Sequence, residues 1–255
     1  MLRISLVQAD LSWENPEQNR AAFAERLKDL VGETDLIVLP EMFTTGFSMR
    51  AKQLAEPLEG PTLRWMQKQA EKLQAVLTGS LIIREKGYCY NRLLWVRPDG
   101  SYSWYDKKHL FTLAGEDQHY SPGKNHLFAR IGEWTVLPLI CYDLRFPSWS
   151  RNTNNYDLLL YVANFPSARS HAWNSLLQAR AIENVCYVVG VNRIGTDGNG
   201  IPYQGDSSLY NYAGKQIYRC TDREDVFTTT LSRDELLGFR AKFPFLEDAD
   251  KKSLR

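Results

Sequence analysis

The sequence predicts a mixed α/β fold in which helices cover a mixed β-sheet. Short apolar runs, such as residues 36–40 (LIVLP) and 158–163 (LLLYVA), are typical of strands that are buried on both faces. Apolar residues recur at helical spacing over residues 61–73 and 170–184. Hairpins are interspersed, since residues 98–100 (Pro-Asp-Gly) are a strong turn signal. This alternation of helices and strands predicts the fold class.

The N-terminal region starts the alternation with one strand and one helix. Residues 2–9 alternate as a strand. Asn15 precedes Pro16 and an acidic residue, which is the pattern of a capped helix start. Apolar residues then recur at helical spacing until Gly32, where we expect the helix to end.

The remaining chain continues with strands, hairpins and one more capped helix. Further strands are predicted over residues 75–83, 88–97, 101–105, 131–140, 157–163, 186–192, 207–211, 215–220 and 225–231. Residues 142–155 contain no glycine and could open as a helix directly after a strand end. Ser232 and Glu235 form a capping box at the start of a last short helix.

Domain organisation and composition indicate one globular unit. No internal repeat or linker is evident, so we predict one domain over residues 1–246, followed by a charged tail over residues 247–255. The net charge of +1 gives no reason to expect nucleic acid or an anionic membrane as a partner. No apolar run approaches the length of a membrane span, roughly 20 residues.

The cysteines indicate a reducing compartment, and a cytoplasmic enzyme is the simplest setting. They lie far apart, without a CxxC pair or a histidine at metal-ligand spacing, which argues against a disulfide framework and a zinc site. The four positions are Cys89, Cys141, Cys186 and Cys220.

Three predicted strands are followed by residues that together could perform acyl transfer. Glu41, Lys107 and Cys141 each come at or just after a strand end, where catalytic groups of open sheets collect. A helix start or a neighbouring ammonium lowers the pKa of a thiol, and a carboxylate can accept its proton. Spacing alone leaves open the alternative that Cys141 is a buried core cysteine.

The local strings around these residues resemble the three signatures of the nitrilase superfamily of carbon–nitrogen hydrolases. The strings are LPE ending at Glu41, YDKKHLF around Lys107 and CYDLRFP starting at Cys141, in the family's order. The resemblance continues through residues 178–184 (QARAIEN) and 191–195 (VNRIG), so it covers nearly the whole chain. Within the superfamily the chain is most similar to the omega-amidase group.

The resemblance implies a role for each residue of the site. Cys141 would be the nucleophile and Glu41 the general base, then the acid for ammonia. Lys107 and the backbone N–H of Tyr142 would stabilise the tetrahedral intermediate. Glu116, six residues before a Pro-Gly pair, would hydrogen-bond Lys107 and help to position the substrate. No cofactor or metal is implied.

Two further residues are candidates for substrate binding. Relatives that bind keto acids use an arginine at the position of Arg145 to bind a carboxylate, and a planar guanidinium suits that contact. The alternative is that Arg145 pairs with Asp143 or Glu183. Phe165 could line the acyl pocket, or it could have a core role, as aromatic residues often do.

The resemblance also implies a fold, a reaction and an assembly. The fold would be an α-β-β-α sandwich of two mixed sheets with helices outside, and two subunits would form a homodimer near Trp149. The reaction would be hydrolysis of small-molecule α-keto acid amides, such as 2-oxoglutaramate and 2-oxosuccinamate. The alternatives are another amidase, a carbamoylase or a nitrilase with the same triad, or a non-catalytic dimeric scaffold.

Other reactive residues are expected to be structural. His109 follows the motif lysine closely and is expected to be structural rather than part of a Cys–His pair. The cysteines other than Cys141 lie in apolar or strand segments and are expected to be inert. Residues 195–200 (GTDGNG) are glycine-rich but lack a strand–loop–helix context, so a turn near the mouth of the site is expected.

Overall fold

The computed structural model describes residues 1–248. Most of the predicted charged tail, from residue 249 onwards, lies outside the described residues. Within the described part of the chain, no helix is both long enough and apolar enough to cross a membrane.

Strands and helices alternate along the described chain as the sequence predicts. The strands are β1 (Leu2–Gln8), β2 (Leu36–Val38), β3 (Glu56–Pro57), β4 (Val76–Glu85), β5 (Tyr88–Val96), β6 (Tyr102–Asp106), β7 (Ala129–Ile131), β8 (Trp134–Ile140), β9 (Leu158–Val162), β10 (Tyr187–Val191), β11 (Ile194–Thr196), β12 (Pro202–Tyr210), β13 (Gln216–Thr221) and β14 (Asp225–Leu231). The α-helices are α1 (Pro16–Leu27), α2 (Ala51–Leu54), α3 (Pro61–Leu73), α4 (Glu116–His119), α5 (Pro147–Ser150), α6 (Ser170–Asn184) and α7 (Arg233–Lys242).

The strands form two sheets of similar construction. The first sheet has the order β14-β1-β2-β4-β5-β6, with β3 beside β4. The second has the order β11-β12-β10-β9-β8-β7, with β13 beside β12. In each sheet three central strands run parallel, namely β1, β2 and β4 in the first and β8, β9 and β10 in the second. Antiparallel strands flank these central strands.

The main core lies between the two sheets, and β2 shows how it is built. Leu36 and Val38 of β2 belong to the core cluster that also contains the apolar residues of β8, β9 and β10. Ile37, with its side chain on the opposite face of β2, packs in the cluster that contains the apolar faces of α1 and α3. Both faces of this strand are therefore buried, as its apolar sequence predicts.

Helices cover the outer face of each sheet, so the molecule has four layers. Helices α1 and α3 cover the first sheet, and α6 covers the second. Gly190 in β10 permits this close packing of α6, because a Cβ at this position would lie 2.5 Å from Leu177 and 2.6 Å from Trp173. The α-β-β-α sandwich implied by the family resemblance is confirmed. The pattern alone predicts a single sheet, whereas the structure has two, because periodicity identifies strands but not which strands pair.

The cap signals predict the helix starts well. The Asn15 side chain accepts a hydrogen bond from Gln18 N, and the Ser232 side chain accepts one from Glu235 N.

The prediction of a helix over residues 142–155 is wrong. That segment contains a 3₁₀ turn, Cys141–Arg145, and the single turn of α5, which starts at Pro147 because proline is favoured in the first turn of a helix.

Candidate active site

The ends of four strands meet at one edge of the sandwich and bring the candidate residues together. Glu41 lies just beyond β2, and Lys107 directly follows β6. Cys141 directly follows β8, and Asn164 lies just beyond β9. Strands β2 and β6 run in the same direction, as do β8 and β9. These residues therefore collect at the carboxyl ends of these four strands.

The backbone near each residue fixes where its side chain lies. The chain after β2 stays hydrogen-bonded to β4, through Leu39 N to Thr78 O, and then turns at Met42, which has a φ of 43°. On the other side of the site, Gly123 N donates to Lys107 O at 2.8 Å. A Cβ at Gly123 would lie 2.0 Å from the carbonyl oxygen of Asp106, so only glycine allows this approach.

Lys107 lies at the centre of a fully buried cluster of charges. Its Nζ donates to Glu41 Oε1 at 2.9 Å and to the two carboxylate oxygens of Glu116 at 3.0 and 2.9 Å. None of the three side chains is exposed. Burial alone would lower the pKa of Lys107, but the carboxylates of Glu116 and Glu41 raise it overall. The ammonium therefore stays charged at neutral pH.

Glu116 accepts hydrogen bonds both from the loop that precedes it and from Lys107. The backbone N–H of Phe111 donates to Glu116 Oε2 at 2.6 Å. The hydrogen bond between Glu116 and Lys107 that the family resemblance implies is present. Burial raises the pKa of Glu116, and the ammonium of Lys107 opposes this rise.

Two asparagines complete the cluster, and the sequence analysis did not predict the role of either. Asn91 Nδ2 donates to Glu41 Oε1 at 2.7 Å and to Glu116 Oε1 at 3.3 Å. Asn164 N donates to Glu41 Oε2 at 2.8 Å. The available signal was a polar residue inside an apolar strand for Asn91, and a polar residue just after a buried strand for Asn164.

Cys141 lies at the sharp turn between β8 and the 3₁₀ turn that follows. Its φ of 45° is unusual for a residue other than glycine, and such strain concentrates at functional sites. The residue is 9% exposed, and its Sγ lies 4.0 Å from the carbonyl oxygen of Asn164. The alternative that Cys141 packs only as a core residue does not account for this conformation or for its place in the charged cluster.

The thiol of Cys141 is not activated in the way that the sequence analysis expected. Burial raises its pKa well above the usual value, and the negative charge of Glu41 raises it further. Lys107 lowers the pKa but only partly offsets these effects. In the free protein at neutral pH the thiol therefore keeps its proton, and a base is needed to remove it.

A cavity of about 390 Å³ opens beside Cys141. It is lined mainly by apolar side chains, and its charged lining residues are all cationic. The lining residues are Phe47, Lys107, Phe111, Leu113, Ala114, Cys141, Tyr142, Arg145, Asn164, Phe165, Pro166, Ala168, Arg169, Ile201 and Tyr203. The cavity thus contains all of the predicted substrate-binding residues, together with a second arginine that the sequence analysis did not single out.

Arg145 is available to a ligand, because its predicted ionic partners are engaged elsewhere. Asp143 accepts hydrogen bonds from Tyr105 and His109. Glu183 pairs with Arg180 at 2.9 Å. Within residues 1–248, Arg145 forms no ion pair and its side chain is exposed. The pairing alternative for this residue is therefore wrong.

Phe165 lies both at the wall of the cavity and in the core. It lines the cavity and is 4% exposed. Its ring also packs in the main core against Trp173, with 5.2 Å between the ring centroids. A side chain fixed on its core side presents a rigid apolar wall to the cavity.

The remaining reactive residues lie in hydrogen-bonded or buried positions. His109 donates its backbone N–H to Asp143 Oδ1 at 2.9 Å, and its ring Nδ1 lies 2.8 Å from the same oxygen. Cys89, Cys186 and Cys220 are buried free thiols. Among residues 1–248, no group of three or more His, Cys, Asp or Glu side chains is placed to hold a metal ion.

Comparison with known proteins identifies relatives along the whole described fold. The carbon–nitrogen hydrolase family profile matches residues 3–241. Omega-amidase YafV of Escherichia coli K12 is 43% identical over 251 residues, which cover 98% of this chain and 97% of that protein. The 2-oxoglutaramate amidase of Bacillus subtilis is 29% identical and covers 97% of both chains.

A solved structure agrees closely with the fold. XC1258 from Xanthomonas campestris, a CN-hydrolase superfamily protein with an arsenic adduct in its active site, is 45% identical. The two chains superpose with a TM-score of 0.96, over 98% of this chain and 97% of the other.

Proposed function

Because the chain belongs to the carbon–nitrogen hydrolase family, we propose that it is an omega-amidase that hydrolyses the terminal amide of small dicarboxylate monoamides. It is a hydrolase that acts on carbon–nitrogen bonds other than peptide bonds, and the family resemblance noted in the sequence is confirmed. The observation that carries the proposal is one cavity in which Cys141 lies beside the buried Glu41–Lys107–Glu116 cluster and the exposed side chain of Arg145.

In the first half of the proposed reaction, the thiol of Cys141 attacks the amide carbon of the substrate. Because the pKa of the thiol is raised, its proton is transferred to Glu41 as the S–C bond forms. The carbonyl oxygen becomes an oxyanion that Lys107 and the backbone N–H of Tyr142 stabilise. Glu41 then gives the proton to the nitrogen, the C–N bond breaks, and ammonia leaves a thioester on Cys141.

In the second half, water hydrolyses the thioester. Glu41, again unprotonated, takes a proton from water as its oxygen attacks the acyl carbon, and a second oxyanion forms beside Lys107. The C–S bond then breaks, the sulfur recovers the proton, and the dicarboxylate is released. Glu116 touches Lys107 throughout, and we assign it the role of holding this ammonium and helping to position the substrate.

The substrate class follows from the relatives and from the charged lining of the cavity. The two relatives reported above are an omega-amidase and a 2-oxoglutaramate amidase, and we propose a substrate of the same chemical class. A dicarboxylate monoamide carries its amide at one end and a carboxylate at the other. The amide would lie against Cys141, the carboxylate against Arg145 and the apolar chain between them against Phe165.

A comparison of substrates tests the proposal. We expect kcat/KM to be highest for 2-oxoglutaramate and 2-oxosuccinamate, and lower for pentanamide, an N-carbamoyl amino acid and pentanenitrile. Equal or faster turnover of any of the last three would contradict the omega-amidase assignment. Cys141→Ala is the matched control for the nucleophile, and it should release no ammonia from any of these substrates.

Mass spectrometry of the intact protein tests the alternative that the chain is a non-catalytic dimeric scaffold. Incubation with 2-oxoglutaramate and rapid acid quenching should trap an acyl group on the intact protein. The adduct should be absent in Cys141→Ala. An inactive wild-type protein without an adduct would favour a non-catalytic role.

We also propose a homodimer that buries the face near Trp149 and α6. The partly exposed Trp149 and the 53% exposed Ile182 supply apolar surface on this side of the molecule. Sedimentation equilibrium should give twice the monomer mass. Ile182→Glu should shift the equilibrium towards the monomer, whereas Val31→Glu, at an exposed apolar residue outside this face, should not.

The proposed location is the cytoplasm. The four cysteines are free thiols, which supports a reducing compartment. Fractionation of cells that express the chain, with antibody detection, tests the location. Recovery of the protein outside the cytoplasmic fraction would contradict it.

A further inference from the structure

The cavity beside Cys141 contains a second arginine, Arg169, which has no role in the reaction proposed above. Arg169 ends the short 3₁₀ turn Ser167–Arg169, which leads directly into α6. It lies five residues after Asn164, just as Arg145 lies four residues after Cys141. The two loops that form the edge of the site therefore each contribute one arginine to the same cavity.

The charge of the cavity is unbalanced on the side of these arginines. The charged lining residues are Lys107, Arg145 and Arg169, and no carboxylate of residues 1–248 lines the cavity. The nearby carboxylates of Glu41 and Glu116 are fully buried and hydrogen-bonded to Lys107, so they satisfy that lysine and not the arginines. An apolar cavity with two unmatched guanidinium groups attracts an anion.

Aromatic rings, and not carboxylates, hold the Arg169 side chain in the cavity. Its guanidinium carbon lies 4.9 Å from the centroid of the Phe111 ring and 5.7 Å from that of Phe165. Within residues 1–248, Arg169 forms no ion pair and its side chain makes no hydrogen bond. The rings contact the guanidinium group without using its N–H groups as donors, so these remain available to a planar anion in the cavity.

We propose that Arg169 binds the free carboxylate of the substrate jointly with Arg145 and thereby determines specificity for keto-acid amides. This inference rests on the proposed omega-amidase function. The far end of an α-keto acid monoamide presents three oxygen acceptors, two on the carboxylate and one on the adjacent ketone. One guanidinium fork contacts two oxygens, and the second arginine contacts the remaining one.

The placement of the two arginines connects binding to catalysis. Arg145 is on the loop that carries the nucleophile, and Arg169 is on the loop whose Asn164 holds Glu41. When both loops bind the carboxylate, the rest of the substrate is held at a fixed distance from the sulfur of Cys141 and from the carboxylate of Glu41. The amide carbon is thereby held against Cys141, which is the arrangement that raises the rate of an acyl transfer.

The test compares a charged and a neutral amide of the same chain length. The quantity measured is the ratio of kcat/KM for 2-oxoglutaramate to kcat/KM for pentanamide, which lacks both the carboxylate and the ketone. We expect Arg169→Gln to lower this ratio at least about tenfold, as loss of a charge-assisted contact does. Arg169→Lys keeps the charge without the fork and should lower it less. Arg130→Gln, at an exposed arginine of β7, removes the same charge outside the site and should keep the wild-type ratio.

The outcomes separate the two proposals. If the wild type prefers 2-oxoglutaramate but Arg169→Gln keeps the wild-type ratio, the role of Arg169 is wrong and the omega-amidase function stands. A loss of equal size on both amides would also overturn it, because a structural role affects both substrates alike. If the wild type shows no preference for 2-oxoglutaramate, the proposed function and this inference both fail. If Arg169→Gln does not fold, a wild-type ratio in Arg169→Lys overturns the need for the planar fork.

Discussion

The backbone N–H of Asn164 donates a hydrogen bond of 2.8 Å to Oε2 of Glu41, although the two residues follow strands of different sheets. The Asn164 side chain reinforces this connection, because Nδ2 donates to the carbonyl oxygen of Glu41 at 2.5 Å. The other carboxylate oxygen of Glu41 accepts from Lys107. The candidate base is therefore oriented only when the sandwich is closed, and its position depends on the packing of both sheets.

The first prediction concerns Glu41 as the base. Glu41→Gln keeps the shape of the side chain but removes its ability to accept a proton from the thiol. Turnover of 2-oxoglutaramate should fall by about 10²-fold or more, as loss of a positioned acid–base group does. Steady-state kinetics and circular dichroism would measure activity and folding. Glu133→Gln, at a side chain that is 87% exposed, is the matched control, and equal activity in the two variants would remove Glu41 from the mechanism.

The second prediction concerns the protonation of Cys141. In the wild type, alkylation of Cys141 by iodoacetamide should be slow at neutral pH and should increase only at strongly alkaline pH, because burial and the charge of Glu41 raise the thiol pKa. Glu41→Gln removes that charge, so the rate should increase at a lower pH even though turnover falls. Mass spectrometry of the Cys141 peptide across pH gives the profile. An identical profile in the two proteins would contradict the influence of Glu41 on the thiol.

The third prediction concerns Asn91, which positions the carboxylates and is not expected to touch the substrate. Asn91→Leu removes the donor to Glu41 and Glu116, so both ionised carboxylates lose a hydrogen bond that stabilises their charge. The acidic limb of the pH profile of kcat/KM should therefore move to higher pH, and turnover should fall. Asn154→Leu, on an exposed loop, should leave the profile unchanged. A purely structural role would lower the stability of Asn91→Leu without moving the acidic limb.

The sequence identified the chemistry better than the environment of each group. Glu41, Lys107 and Cys141 were identifiable as candidates that lie together, because each is in a local string whose order along the chain is informative. The role of Asn91 was not identifiable, because it depends on which strand lies beside the cluster. Arg169 was overlooked for a similar reason: nothing in its local sequence indicates that two aromatic rings, one of them 58 positions away along the chain, orient it in the cavity.

The segment after Cys141 shows why local pattern failed to predict local structure. Its composition is compatible with a helix, but the side chain of Asp143 accepts hydrogen bonds from Ile140 N and His109 N. These tertiary contacts stabilise a short 3₁₀ turn, and the chain then restarts at Pro147. The pKa of the Cys141 thiol could not be predicted for the same reason, because burial outweighs the neighbouring ammonium. Both depend on packing that only the folded chain provides.

The fourth prediction concerns stability at mildly acidic pH. His126 Nε2 lies 2.7 Å from the carbonyl oxygen of Trp149, and its ring stacks on the indole at 3.8 Å. Burial lowers the pKa of His126 below the usual 6.5. Below pH 6.5 the unfolded chain therefore binds a proton that the folded protein excludes, so stability is complete above this pH and falls as the pH drops towards the folded pKa.

The measurement for His126 is the melting temperature as a function of pH. Between about pH 7.5 and 5, the wild type should lose more of its melting temperature than His126→Gln, which has no group that titrates at this position. Equal losses in the two proteins would show that other groups cause the acid sensitivity.

The last prediction concerns Gly123, whose backbone packs directly against the strand end that carries Lys107. A Cβ at Gly123 would lie 2.0 Å from the carbonyl oxygen of Asp106, and neither backbone can yield without moving Lys107. Gly123→Ala should therefore lower the free energy of unfolding by about 1–3 kcal/mol, as overpacking does, and should lower kcat as well. Gly238→Ala adds the same methyl group to the exposed surface of α7, where it meets no atom within 4 Å, and should be neutral or stabilising. Denaturant unfolding and kinetics of both variants decide the matter, because a Gly123→Ala protein with wild-type stability and kcat would show that this contact does not position Lys107.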